Sequence, residues 1–425
     1  MIKIVNDYKS KIEQLHASVS TKDDPELYRI CHEIKDAIIN DGDQAVINLT
    51  AKFDKVTLDA NNFFVSPDEI KNAYNLVPQS FIESLKVAYQ NIKTYHEKQL
   101  PKNWRTDHET YYYGMQYSAL DAVCLYVPGG RTPYPSTVIM DSVPAQIAGV
   151  NDIIIATPPQ PDGTIAPQIL VAADLCGVDK ILKVGGAQAV FATAYGTNSI
   201  PKVDKIVGPG NKFVTMAKQM VYGQVDIDKP AGPSEALVYI EDEKYAAFAA
   251  AELLAQLEHD PDAHAVGVST KQEVLDRINS EIEKQLNDCS RKDIILESLK
   301  NSALFLAKDR EEGIAIVNES ATEHLAVICD DANDILRNIK HAGSIFLGPY
   351  TPVVLGDYFA GPNHVLPTAG AARFASPLGV MDFMKYSSFL SYSKEALKAS
   401  QPHVKNLTDM EGFDAHYLSL SRRLD

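Results

Sequence analysis

The chain predicts an α/β protein of two Rossmann-like domains, each an incomplete doubly wound parallel sheet, with terminal helical arms. Two patterns and one size argument point there. Between Asp121 and Asp228, short β-branched runs alternate with longer apolar-periodic stretches, and each boundary carries Gly or Pro. A second series of the same kind begins after Ala236. The 425 residues, 45% hydrophobic and 23% charged, supply cores for about two or three domains.

Taken in order, residues 1–22 read as an N-terminal arm. Residues 24–98 read as mostly helical, with helices over 26–39 and 67–93, and 109–118 as a tyrosine-rich hairpin. The middle series places strands at 122–127, 152–157, 180–184 and 205–207, with a weaker one at 225–227. Helices fall at 137–148, 166–175, 187–195 and 212–220. Two similar hinges, Ala148-Gly149-Val150-Asn151-Asp152-Ile153 and Cys176-Gly177-Val178-Asp179-Lys180-Ile181, each put a glycine at a helix end before a buried strand. The second series places strands at 237–240, 264–269, 303–307, 326–329 and 344–347, with helices over 245–259, 272–287 and 331–339. From about Gly379 the sheet pattern fades and an arm is expected. This order suggests one α/β domain inserted in another: 23–125 with 236–378 as the outer domain, 126–235 as the inserted one, and 379–425 as the C-terminal arm.

Charge and cysteine usage narrow the function classes. A net charge of -16 disfavours a nucleic-acid partner, which needs cationic patches. Cys31, Cys124, Cys176, Cys289 and Cys329 are odd in number and form no CxxC pair, which argues against a disulfide framework or a thiolate zinc module and for a reducing compartment. With no apolar signal core and no run of roughly 18 apolar residues, the expectation is a cytoplasmic protein with no membrane partner.

Four glycine turns follow strands of the middle series: Val127-Pro128-Gly129-Gly130, Val184-Gly185-Gly186-Ala187-Gln188, Val207-Gly208-Pro209-Gly210-Asn211 and Ala231-Gly232-Pro233-Ser234-Glu235. Strand ends feeding helix N-termini are where open α/β sheets bind ligands. Any one turn is explained as well by ordinary turn chemistry; four at one sheet edge favour a ligand. None is GxGxxG, so the standard dinucleotide fingerprint is absent.

Gln256 and His259 lie three residues apart at a helix end, able to offer an amide oxygen and an imidazole to one metal, although His259 alone suits a helix C-terminus. Asp357 adds a carboxylate, or is simply a turn residue. Glu323 and His324 run into a buried strand and can serve as proton-transfer groups only if a turn brings both into one pocket; an exposed acid beside a helix cap explains them equally well. Glu411-Gly412-Phe413-Asp414-Ala415-His416 is either a further site element or a solvated tail. The dense loop from Asp357 to Thr368 reads as ordered, with His364 bonding backbone.

Together the segments YVPGG, GGAQA, GPGN, AGPSE, QLEHDPDA, TEHL, GDYFAGPNHVLPT, ARFASPLGVMDF and EGFDAH resemble the histidinol dehydrogenase family, in order and across nearly the whole chain. The resemblance implies oxidation of L-histidinol to L-histidine via L-histidinaldehyde, the last steps of histidine biosynthesis, with two NAD and one Zn2+ per subunit. By motif it implies zinc ligands Gln256, His259, Asp357 and His416, and an acid/base pair Glu323 and His324. Ser234, Gln256, His259, His324, Asp357, Glu411 and His416 would surround the substrate, and Tyr126, Gln188 and Asn211 would hold NAD. It further implies an intertwined homodimer with shared active sites. The residues alone leave open a metal-dependent hydrolase of a small amine, or a non-catalytic small-molecule binding module.

Overall fold

A computed structural model describes residues 1–18, 24–129, 132–230 and 232–425. In chain order the strands are β1 (Ile4–Val5), β2 (Trp104–Asp107), β3 (Tyr111–Ala119), β4 (Ala122–Tyr126), β5 (Asp152–Ala156), β6 (Lys180–Leu182), β7 (Lys205–Val207), β8 (Asp226–Ile227), β9 (Glu235–Ile240), β10 (His264–Ser269), β11 (Ala303–Leu306), β12 (His324–Ile328), β13 (Ser344–Leu347) and β14 (Met384–Tyr392). They form a five-stranded parallel sheet ordered β6-β5-β4-β7-β8, a six-stranded parallel sheet ordered β1-β11-β10-β9-β12-β13, and an antiparallel sheet ordered β14-β3-β2. In both parallel sheets the first strand of the series lies inside, the next two step outward on one side and the last two on the other. This is the doubly wound order expected, with strand direction of travel reversing between β4 and β7 and between β9 and β12.

The sheets are covered on both faces because their strands alternate which core they feed. Val123 and Leu125 point into one core with helices Pro135–Ala148, Pro167–Leu175, Pro67–Ala73 and Gln79–His96. Cys124 and Tyr126 point into the other with helices Gly186–Tyr195, Lys212–Val221, Pro25–Asp41 and Asp43–Phe53. Likewise Val238 and Ile240 face helices Ala246–Leu257 and Gln272–Gln285, while Leu237 and Tyr239 face helices Tyr8–Ser18 and Arg310–Ser320. The two hinge glycines are left-handed, Gly149 at φ +90° and Gly177 at φ +65°.

The packing departs from the expected division in three places. Residues 25–96 share cores with β4–β8 rather than with the six-stranded sheet, because their amphipathic helices have no sheet of their own and close both faces of the five-stranded one; from 236–378 only Val365 and Leu378 join those cores among the described residues. The described part of 1–22 is not a free arm: β1 pairs with β11, and Ile12 and Leu15 are buried on the six-stranded sheet; residues 19–22 lie outside the described residues. The segment after Gly379 contains β14, which pairs with β3 over nine positions from Met384↔Ala119 to Tyr392↔Tyr111. Its exposed alternation of Tyr, Ser and Leu hides that strand in sequence. The expected helix over 67–93 is two, since Pro78 lacks an N–H and biases Val77 away from helix. The first of the pair begins with a capping box between Ser66 and Glu69.

The small sheet has no room at Gly114, where a Cβ would lie 2.3 Å from the Trp104 carbonyl oxygen and 2.4 Å from Phe389 Cζ. Gly114→Val is expected to destabilise the protein by about 1–3 kcal/mol through overpacking. An unchanged thermal midpoint would show that β14 and β2 do not close on β3 as described.

Candidate active site

Parallel register places the first residues of neighbouring strands side by side. His264 pairs with Glu235, and His324 with Ala236, so Glu235, His264, Glu323 and His324 gather at the amino edge of the six-stranded sheet. All four are buried. Glu323 sits in a bend just before β12, which is the turn that a shared Glu323–His324 pocket requires. Its Oε2 lies 3.5 Å from His324 Nδ1. On the other side of the ring, His324 Nε2 is 3.4 Å from Asp357 Oδ1, too far for a well-formed hydrogen bond, and that buried nitrogen has no other partner among the described residues. Burial opposes charge on His324, but Glu323 and Asp357 outweigh it and hold the imidazole well above its usual range. Burial pushes Asp357 up, yet the facing His324, with the nearby His364 and His259, brings it below the ordinary carboxylate value.

Asp357 lies on the short helix Val353–Tyr358. The N–H of Val353 donates to Glu252 Oε2 at 3.2 Å, so a carboxylate on helix Ala246–Leu257 fixes the start of the Asp357 helix. Glu252 is one turn before Gln256 and thus on the same helical face. Gln256 is buried and its Nε2 has no partner among the described residues. His259 follows the helix end and is exposed; Ser234 is half-buried just before β9 and its carbonyl accepts from the His264 N–H at 3.3 Å. His364 Nδ1 meets the Asp357 carbonyl oxygen at 2.8 Å, the backbone-bonding role expected of it.

Glu411 and His416 stand apart. Both are exposed, Glu411 at the end of helix Lys394–Glu411 and His416 in helix Asp414–Ser421, where its ring stacks on Phe413 at 4.9 Å. Among the described residues neither makes a hydrogen bond or ion pair with the Glu323–His324–Asp357 group.

The second candidate region is the carboxyl edge of the five-stranded sheet, at the β4/β7 switch point. The Tyr126 hydroxyl accepts from the Gly186 N–H at 3.0 Å. Gln188 is buried with Nε2 3.3 Å from Asp54 Oδ2, and burial raises Asp54 to about 6. Asn211 is exposed and its Oδ1 caps helix Lys212–Val221 through the Phe213 and Val214 N–H groups. Several glycines in these turns have packing reasons: Cβ atoms at Gly129 and Gly185 would each come 2.5 Å from Pro158, and one at Gly208 would come 2.2 Å from the Tyr126 carbonyl oxygen. Gly130 and Ala231, two members of the expected turns, lie outside the described residues. Gly208 is clasped on both sides, its N–H donating to Asp228 Oδ2 at 3.0 Å and its carbonyl accepting from Lys218 Nζ at 2.7 Å, while Lys218 and Asp228 form a buried ion pair.

The residues fit a metal at one region. Gln256, buried with its amide nitrogen unpartnered among the described residues, is free to turn its oxygen to a cation, and with the Asp357 carboxylate and the His259 imidazole near it makes a nitrogen and oxygen donor set that suits zinc without thiolate. A different cluster, Glu241, Cys329 and Asp331, lies at the opposite, carboxyl edge of the six-stranded sheet. There the Arg310 guanidinium already bonds Glu241, and Asp331 at 2.6 Å, so that cluster has its cation. Sequence reasoning missed Glu235, His264, Glu252 and Asp54; the Glu of AGPSE was the only one inside a singled-out motif.

The family model described as histidinol dehydrogenase matches residues 18–424. A histidinol dehydrogenase of Clostridium acetobutylicum is 48% identical, covering 100% of this chain and 99% of that one, and one of Bacillus cereus is 46% identical over 98% and 96%. The crystal structure of histidinol dehydrogenase from Elizabethkingia anophelis superposes with a TM-score of 0.94 at 35% identity, covering 100% of this chain and 98% of that one.

Beside Gly208, Asp141 is fully buried, and among the described residues both its carboxylate oxygens are unpartnered. Burial, then the like charge of Asp228, raises it well above its usual range despite Lys218 and Lys229. The folded chain therefore keeps a proton that the unfolded chain loses above about pH 4, so this group's contribution to stability falls as pH climbs from there toward the folded value. Asp141→Asn should flatten the thermal midpoint between about pH 5 and 8 and leave it equal or higher at neutrality. A clearly lower midpoint at neutral pH would mean that Asp141 is charged and needed.

Proposed function

The chain belongs to the histidinol dehydrogenase family, dehydrogenases that oxidise histidinol in histidine biosynthesis, and on that premise we propose that it converts L-histidinol to L-histidine via L-histidinaldehyde, using two NAD and one zinc per subunit. The observation that carries this reading is His324, buried between Glu323 and Asp357 with its Nε2 unbonded among the described residues.

Gln256, His259, Asp357 and His416 of the partner subunit would hold zinc. Bound there, zinc would orient the substrate's amine and imidazole nitrogens and draw the Asp357 charge off His324, leaving the ring free to act as a base. NAD, held along Tyr126, Gln188 and Asn211, would accept the hydride in each of the two oxidations. His324 takes the hydroxyl proton in the first oxidation. Glu323 takes a proton from the water that adds to the aldehyde while His324 gives its proton to the aldehyde oxygen, and His324, neutral again, takes the hydrate's proton in the second. Ser234 and Glu411 complete the substrate's surroundings, with Glu411 reaching across from the other chain.

A homodimer is supported by the apolar surface of the last 45 or so residues, where Tyr386, Leu390, Leu407 and Met410 are 60%, 69%, 66% and 89% exposed. A cytoplasmic location is supported by five free cysteines, four of them buried. Among the described residues no helix is long and apolar enough to cross a membrane.

Absorbance of reduced nicotinamide should grow on adding histidinol and NAD, vanish after chelation and return with zinc; growth unaffected by thorough chelation would remove the metal from the reading. His324→Asn should keep zinc content and lower turnover of both histidinol and the aldehyde by about 10² to 10⁴. Unchanged turnover of both would eliminate His324 as base. Mixing inactive His324→Asn and His416→Asn chains under exchange conditions should restore activity, since one site of the mixed dimer then holds neither change. No recovery, with exchange demonstrated, would place His416 in its own chain's site.

A further inference from the structure

We propose that Glu235, anchored by His264, is a positioning residue that sets the Glu323–His324 pair. This deepens the reading above and rests on the roles given there to Glu323 and His324.

The two glutamates grip each other crosswise. Glu235 Oε1 accepts from the Glu323 N–H at 3.1 Å, and Glu323 Oε2 accepts from the Glu235 N–H at 2.9 Å. The Glu235 carbonyl oxygen lies 3.3 Å from His324 Nδ1, and its Oε2 lies 3.2 Å from His264 Nε2. Glu235 and His264 are 2% and 4% exposed. The side chain of Glu235 thus fixes the bend at Glu323, while its backbone fixes the Glu323 carboxylate and meets the His324 ring. Because Oε2 of Glu323 is the oxygen so held, Oε1 is left to meet water. His264, first residue of β10, braces the free oxygen of Glu235 from the far side. Two buried carboxylates facing each other through amides are costly to desolvate, and an edge lock alone needs only one of them. The second gains its purpose from directing the first.

A displacement near 1 Å at a reacting group typically costs about a hundredfold in rate. Glu235→Ala should therefore lower kcat about tenfold to a hundredfold, with zinc content and the KM for histidinol held within about twofold. Glu235→Gln, which keeps an acceptor for the Glu323 N–H, should recover most of that loss. In a Glu323→Gln background Glu235→Ala should cost little more, since its target is gone. Multiplying losses in that cycle, or equal losses for the Ala and Gln variants with kcat and KM moving together, would overturn the proposal. Should Glu235→Ala fail to fold, His264→Asn reads the same pattern at smaller amplitude, and an unchanged kcat there would also overturn it. If Glu323→Gln alone leaves kcat intact, it is the role of Glu323 as base that fails, a result distinct from a failed cycle with an inactive Glu323→Gln.

Discussion

The chain from β8 to β9 and the loop after Asp357 join the two parallel sheets, and the candidate chemistry depends on that joint. The chain leaves β8 at its carboxyl end and enters β9 at its amino end, so Ile227 and Glu235 can be no more than about 29 Å apart. The loop after Asp357 stitches across the gap: Asn363 donates to the Met140 carbonyl oxygen at 2.6 Å, Thr137 meets His364 at 3.3 Å, Lys229 donates to the Val365 carbonyl oxygen at 3.3 Å, and the Gly232 N–H donates to Thr368 at 2.7 Å. A carboxyl edge with glycine turns is thereby tied to an amino edge with acid and imidazole groups. Hydride transfer needs such closeness between a nicotinamide and a substrate.

The same joint sets the two candidate regions at opposite ends of their sheets. Ligands of open parallel sheets ordinarily sit at the carboxyl switch point. The candidate region of the five-stranded sheet, at Tyr126 and Gly208, lies at that end. In the six-stranded sheet that position is filled by Arg310 with Glu241 and Asp331, and Tyr239 closes on Glu241 at 2.5 Å. The amino edge offers buried strand-initial N–H groups instead, and side-chain carboxylates satisfy them.

The strands and helices of both parallel sheets were legible because buried strands read as unbroken β-branched runs and Gly149 and Gly177 mark helix ends. β14 was not legible, since a solvent-facing strand of tyrosines and serines lacks an apolar face until its partner β3 is known. The grouping of residues 25–96 was not either: an amphipathic stripe shows that a helix packs, not on which sheet. At the site, proton-transfer and ligand candidates could be singled out by residue type, but Glu235 and Glu252 act through backbone N–H groups distant in sequence, and only parallel register brings His264 beside Glu235. Conversely, the glycines that drew attention to the turns earn much of their place by touching Pro158 and the Tyr126 backbone.

The nine-residue pairing of β14 with β3 bears on how subunits would assemble. Helix Lys394–Glu411 begins one residue after β14, with Ser393 capping it and its N–H donating to the Thr110 carbonyl oxygen at 3.0 Å. The arm therefore leaves a rigid base at a fixed angle, with its helices already formed. A surface that receives it orders little new chain, so association forfeits less conformational entropy than the docking of an unstructured tail. Recognition would then depend on the match of two preformed shapes, and any slip in the β14 register would be felt at the far end of the arm.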